Sequence, residues 1–142
     1  MLLASLQSDL ASRLGELARD HGPTFRARAR FCEGDECHRE LVHAGPDVEI
    51  WLLSWLPDQI TPIHDHGGAL TVTTVLAGAL FEERFERVGE RVRPSWTMRR
   101  GVGELDPIGA TEIHRVRPIG SAVTLHLYAP SCVDGRIYQV AA

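Results

Sequence analysis

The sequence lacks several features that would place it in other classes. No apolar run approaches the length of a membrane span, and the leucine-rich N-terminal stretch carries Asp9, Arg13, Glu16 and Arg19, unlike a secretory leader. The expectation is a cytoplasmic protein that engages no membrane. Cysteine is scarce: Cys32, Cys37 and Cys132 show no Cys-x-x-Cys spacing, which argues against a disulfide framework and against a zinc knuckle. Reduced thiols are expected. Neither sign of charge is in large excess, with 15 Lys and Arg against 19 Asp and Glu for a net charge of -4. Without a basic patch or a run of like charges, nothing points to nucleic acid. Repeats, linkers and low-complexity segments are missing as well. At 142 residues and 44% hydrophobic content the chain reads as one domain, 1–142, with a single sizeable core.

What is present is mostly strand and turn. Before it, Leu2, Leu6, Leu10, Leu14 and Leu17 recur at spacings of three and four up to about Asp20, the stripe of an amphipathic helix. Gly22-Pro23 is read as its end, so 1–22 forms an N-terminal helix packed on a sheet domain or used as a dimer contact. Monomer and homodimer are both compatible with that. Phe25, Ala27, Ala29 and Phe31 alternate with Arg26, Arg28 and Arg30, which fits a half-buried strand, a short helix being the other reading. Cys37 to His43 is a further strand candidate. Segments 48–56, 70–77, 79–88, 91–99, 111–116, 121–129 and 136–140 follow, separated by Gly78, Gly89, Gly101, Gly103, Gly109, Gly120 and Gly135. Short, glycine-punctuated strands at this density predict a sandwich or small barrel.

Chemistry concentrates in Thr61-Pro62-Ile63-His64-Asp65-His66-Gly67-Gly68, just before a β-branched run. In an extended chain alternate side chains share a face, so His64 and His66 point the same way, about 6–7 Å apart. Two neutral imidazoles so placed fill two corners of a metal's coordination sphere, and a third ligand must come from elsewhere. The plainer reading is a pair of surface or hydrogen-bonded histidines. Further on, Thr124, His126 and Tyr128 share one strand face while Val123, Leu125 and Leu127 take the other. Three polar groups facing a core need partners, and a purely structural network would satisfy them. Arg39, taken alone, is an ordinary exposed arginine.

The spacing resembles the two motifs of the cupins. His64-x-His66 is followed after four residues by Thr71, where that pattern has Glu, and after six more by Gly78; Asp58 stands at the leading Gly. Gly101, Pro107, Gly109 and His114 represent the second motif, with two extra residues before the histidine. The resemblance makes His114 the third ligand, giving three histidines and no carboxylate.

Four stretches narrow this further: Arg39-Glu40-Leu41-Val42, Pro62-Ile63-His64-Asp65-His66, Ile113-His114-Arg115-Val116, and Thr124-Leu125-His126-Leu127-Tyr128-Ala129-Pro130. From about Arg39 to Tyr128 the chain resembles the thiol dioxygenases of the cysteine dioxygenase type, cupins that hold ferrous iron by three histidines. The resemblance implies an all-β, jelly-roll-like cupin barrel with an N-terminal amphipathic helix, and Fe(2+) held by His64, His66 and His114. It implies that the Arg39 guanidinium fork clamps a substrate carboxylate. It also implies a relay in which Thr124 orients His126 and His126 orients the Tyr128 hydroxyl toward the iron. The partners are then a small thiol and O2, the product a sulfinic acid, and L-cysteine the default substrate. 3-Mercaptopropionate or ergothioneine are alternatives within that chemistry; a cupin that binds metal or ligand without redox chemistry is the alternative outside it.

Two departures bear on the substrate. Mammalian-type enzymes of this family carry a cysteine where Thr71 stands, cross-linked to the tyrosine matching Tyr128; no such thioether can form here. Cys37 lies two positions before Arg39, where the cysteine-specific enzymes carry a pocket tyrosine, so the identity of the thiol stays open. Cys37 and Cys132 receive no role from the resemblance.

Overall fold

The computed structural model describes residues 2–130 and 135–141; Cys132 and the side chain of Leu2 lie outside the described set. Helix α1 (Leu2–Ala27) opens the chain. Its stripe is anchored by Leu10 and Leu14, with Leu17 and Ala18 half-buried beside them, whereas Leu6 stays exposed. The helix does not stop at Gly22-Pro23: Pro23 lies inside it, and the last turn delivers Phe25 into the same cluster as Leu10 and Leu14. An interior proline costs about 3 kcal/mol through its lost N–H and its clash with the preceding turn. Burying a phenylalanine returns roughly 1.5–3 kcal/mol, so tertiary packing carries the helix past the local stop signal. The strand expected over Phe25–Phe31 is therefore absent. Phe25 and Ala27 are helical, and 29–37 runs without regular structure to Cys37.

Six strands follow: β1 (His38–Ala44), β2 (Glu49–Trp55), β3 (Leu70–Val88), β4 (Arg91–Arg100), β5 (Leu105–Ile108) and β6 (Ile113–Ala129). They form one antiparallel sheet in the order β1-β2-β6-β3-β4, with β5 also paired to β3. The segments expected as 70–77 and 79–88 are one strand bent at Gly78, and 111–116 with 121–129 become the single strand β6. At Gly78 the backbone has φ +75°, and a Cβ there would sit 2.2 Å from the Ser121 carbonyl, so only glycine allows the two long strands to stay paired through the irregularity. Strand β5 has no counterpart in the sequence reading, since Leu-Asp-Pro-Ile offers no alternation of length.

Strand pairing leaves this sheet open, and the closed barrel expected from the sequence is not formed by it. Residues 136–140, expected as a strand, make only isolated bridges, His64 to Ile137 and Val92 to Val140. Backbone bonds run from Tyr138 N to Ile63 O at 2.9 Å and from Val92 N to Gln139 O at 3.0 Å. The described C-terminal segment thus lies between the His64 loop and the edge strand β4.

The two faces of the sheet bury different chemistry. Val72, Leu76, Val123, Leu125 and Leu127 pack beneath α1 with Ile50 and Leu52. The opposite face carries Thr71, Thr73, Thr124 and His126, all buried. No helix of the described residues is long and apolar enough to cross a membrane.

Candidate metal centre

Register explains which side chains meet. Leu53 of β2 lies opposite both Arg39 of β1 and Thr124 of β6; Trp51 lies opposite His126, which in turn faces Thr73; Glu49 lies opposite Tyr128, which faces Thr71. Residues paired across an antiparallel sheet point to the same side, and alternate residues return to it. Arg39, His126, Tyr128 and the three threonines are therefore brought to one face by backbone pairing.

His64 and His66 reach that face from a loop outside the named strands, and His114 stands at the start of β6. Thr61 N donates to Val116 O (2.9 Å) and its hydroxyl accepts from Val116 N (2.9 Å), fixing the loop against β6. His64 then pairs with His114 as an isolated bridge. Asp65 holds the other side: its Oδ1 accepts from Gly67 N and Arg136 N (3.0 and 2.9 Å), and its Oδ2 accepts from the Tyr138 hydroxyl (2.8 Å). Gly135 passes so close that a Cβ would lie 2.2 Å from Asp65 O, which only a glycine permits.

The ring nitrogens of His64, His66 and His114 lie within 4.8 Å of one another, and His66 and His114 are buried. His64 Nδ1 donates to Pro62 O (2.8 Å) and His114 Nδ1 is bonded to Glu82 Oε2 (2.8 Å). Both tautomers are thereby set with Nε2 free of a proton. His114 Nε2 is 3.2 Å from His66 Nε2, close to the separation of about 3 Å between adjacent ligands on one small cation. Burial, followed by the charge of neighbouring imidazoles, pushes His64 down to about 4 and His66 to about 2, so both present lone pairs at neutral pH. Three convergent imidazoles with no carboxylate among them fit a divalent transition metal.

Around this centre opens a cavity of about 330 Å³ lined by Arg39, Glu49, Trp51, His64, His66 and Tyr128, among others. A smaller recess, also walled by Arg39, His64, His66 and Tyr128, extends to His114, His126 and Thr73. Arg39 is exposed and, among the described residues, has no carboxylate within ion-pair reach. Burial pushes the Cys37 thiol up, opposed by the charge and hydrogen bond of Arg39. Cys37 packs against the Leu53 and Trp55 cluster.

The Thr124–His126 pairing is present at 2.7 Å between Oγ1 and Nε2. His126 Nδ1, however, goes to the Thr73 hydroxyl at 3.1 Å, and Thr124 also accepts from Trp55 Nε1 at 3.0 Å. Both ring nitrogens of His126 thus meet threonine hydroxyls, one on β6 and one on β3. Tyr128 packs its ring 6.0 Å from that of His66. Trp55, Thr73 and Glu82 were not singled out by sequence reasoning. Their places follow from strand register and from the bend at Gly78, and Phe81-Glu82-Glu83-Arg84 reads locally as an ordinary charged strand.

Fold and site together define a class: an antiparallel β protein of cupin-like architecture with a three-histidine centre. Solved structures with this fold include an uncharacterised protein with a double-stranded β-helix domain from Klebsiella pneumoniae, 14% identical (TM-score 0.65, covering 80% of this chain and 88% of that one). A cupin superfamily protein from Desulfitobacterium hafniense is 14% identical (TM-score 0.58, 72% and 84%). An RmlC-like cupin from Desulfovibrio desulfuricans is 25% identical (TM-score 0.52, 72% and 90%). The family model for cysteine dioxygenase type I matches residues 7–140, and the chain belongs to that family.

Proposed function

We propose that this protein is an Fe(II)-dependent thiol dioxygenase that converts a small thiol and O2 into the sulfinic acid. The observation that carries the reading is the convergence of His64, His66 and His114 on one point of a cavity that Arg39 and Tyr128 also line, in a cysteine dioxygenase type I family member. Bound there by the three histidines, iron would supply a common point for thiolate and O2 and would lower the thiol pKa. Both oxygen atoms enter the product, R–SH plus O2 giving R–SO2H, so no external reductant is needed.

The chain's own residues do the rest of the work. Arg39 pairs with the substrate carboxylate at the cavity wall. Tyr128 offers its hydroxyl to the reacting end of the substrate, its ring held beside His66. His126, fixed between Thr124 and Thr73, stays neutral because burial, then the Arg39 charge, pushes it down to about 3. It serves as a rigid wall behind the centre. The loop of 61–66 is bonded to β6 on one side and to the segment 136–138 on the other.

L-Cysteine is the default thiol, with 3-mercaptopropionate and ergothioneine as competitors. The deciding experiment is O2 consumption by the iron-loaded protein against these three and cysteamine, with the sulfinate identified by mass. Sulfinate formed from one thiol at a rate lost on iron removal is the expected result. No O2 uptake with any thiol, in protein that holds iron, assigns the chain to non-redox binding.

A further inference from the structure

Behind the three histidines lies a second buried constellation. Glu82 of β3 is 1% exposed. Its Oε2 is bonded to His114 Nδ1 at 2.8 Å and lies 3.1 Å from Arg84 Nε; its Oε1 accepts from Arg100 Nε and Nη2 at 3.3 and 3.0 Å. Asp106 holds the same two arginines, its Oδ1 lying 3.3 Å from Arg84 Nη2 and 2.9 Å from Arg100 Nη2. Arg84 also pairs with Glu112 and stacks 4.9 Å above the Trp96 ring.

A carboxylate pinned on both oxygens cannot rotate, and an imidazole that gives its Nδ1 proton to such a group can neither change tautomer nor turn its ring freely. We infer that Glu82 is a positioning residue for the metal centre, fixing His114 as the Nδ1–H tautomer, aiming its Nε2 at His66 and His64, and raising its basicity toward a metal ion. This rests on the three-histidine reading of the site. Neutralising the buried arginines is shared with Asp106, which lies beside both, and with Glu112 beside Arg84, whereas Glu82 is the carboxylate paired with His114. Glu82 lies closer to His114, at 2.8 Å, than to either arginine.

The test uses Co(II) as probe on the full chain, read by titration and by its visible spectrum, with circular dichroism melts reporting the fold. Glu82→Gln removes the charge and keeps the shape; Glu82→Asp keeps the charge and withdraws the carboxylate by one methylene. Asp106→Asn perturbs the same arginines and keeps a hydrogen-bond donor beside Glu82 without touching His114. Loss of a carboxylate behind a metal-bound histidine typically weakens affinity about 10–100-fold. Both Glu82 variants should lose affinity on that scale with shifted bands, while Asp106→Asn binds as the wild type does. Wild-type affinity and spectrum in either folded Glu82 variant overturn the inference, as does an equal loss in Asp106→Asn.

Should neither Glu82 variant fold, histidine nitrogen–proton spectra of the wild-type protein loaded with Zn(II) decide. His114 must show a slowly exchanging Nδ1 proton, and an Nε2 proton there overturns the inference. His66→Ala separates the two levels of argument. If it and the wild type bind Co(II) alike, the three-histidine site itself fails; if it loses Co(II) while Glu82→Gln does not, only the role of Glu82 fails.

Discussion

His64 and His114 exchange both backbone hydrogen bonds, N to O at 3.0 Å in each direction, although β3, β4 and β5 lie between them in the chain. A pair that exchanges both bonds in antiparallel register puts its two side chains on one face. His66, two residues on, completes the triangle, with all three ring centroids 4.8 Å apart. The triangle of imidazoles is thus a property of backbone pairing.

Because of this, removing one imidazole leaves the scaffold in place. His66→Ala should abolish stoichiometric iron binding while the protein stays folded, since Ile63, Phe85, Val92, Ile113 and Tyr138 pack around the loop without it. Metal content and a thermal melt check this. Full iron retention in the variant would remove His66 from the ligand set.

Arg39 tests the substrate class. For a carboxylate-bearing thiol, Arg39→Ala should cost about 2 kcal/mol in kcat/KM, the lower end for a charged hydrogen-bonded pair because Arg39 is exposed. Arg39→Lys should recover part of this, as an ammonium offers a point charge without the fork. Cysteamine, which has no carboxylate, should respond to neither. Equal losses for all thiols would make Arg39 structural.

Tyr128→Phe keeps the ring beside His66 and removes only the hydroxyl. Turnover should fall while thiol affinity changes little, the pattern of a group used after binding. The comparison is kcat against KM on the best thiol; an unchanged kcat returns Tyr128 to a packing role.

Thr71 lies opposite Tyr128 in the β3–β6 ladder, 1% exposed, and its hydroxyl has no hydrogen-bond partner among the described residues. An unpaired buried hydroxyl costs about 1–3 kcal/mol, so Thr71→Val, of equal shape, should leave the protein as stable or stabilise it by about 1 kcal/mol. Urea unfolding measures this. Clear destabilisation would mean that the hydroxyl has a partner in solution.

Acid sensitivity has two opposed sources. Buried His126, pushed down to about 3 from 6.5, contributes stability that is full above pH 6.5 and lost as pH falls toward 3; His64 acts with the same sign. Asp106 is pushed up to about 7 from 3.8 by burial, then by the charge and hydrogen bond of Glu82. Its contribution is full below 3.8 and lost as pH rises through 7. Between pH 4.5 and 6.5 the two oppose each other. Asp106→Asn removes the falling one, so stability of the metal-free variant should climb more steeply with pH than that of the wild type, by up to about 1.4 kcal/mol per pH unit. Parallel slopes in urea unfolding across this window would refute the assignment.

Local periodicity made much of this protein legible. The alternation of Thr124, His126 and Tyr128 against Val123, Leu125 and Leu127 names both faces of β6 in advance, because a strand's period is fixed by backbone geometry alone. His64-x-His66 announces a metal pair for the same reason. Whatever depends on distant partners was not legible. Phe25 carries α1 past Pro23 because a core formed largely by β2, β3 and β6 receives it, and Thr73 meets His126 Nδ1 because β3 pairs in that register. Glu82 reaches His114 only once β3 has bent at Gly78 and paired with the first half of β6. The sequence by itself determined which residue types could bind a metal and which faces would be apolar. Tertiary structure alone decided which polar side chains meet, since hydrogen bonds between strands far apart in the chain exist only after the sheet has chosen its register.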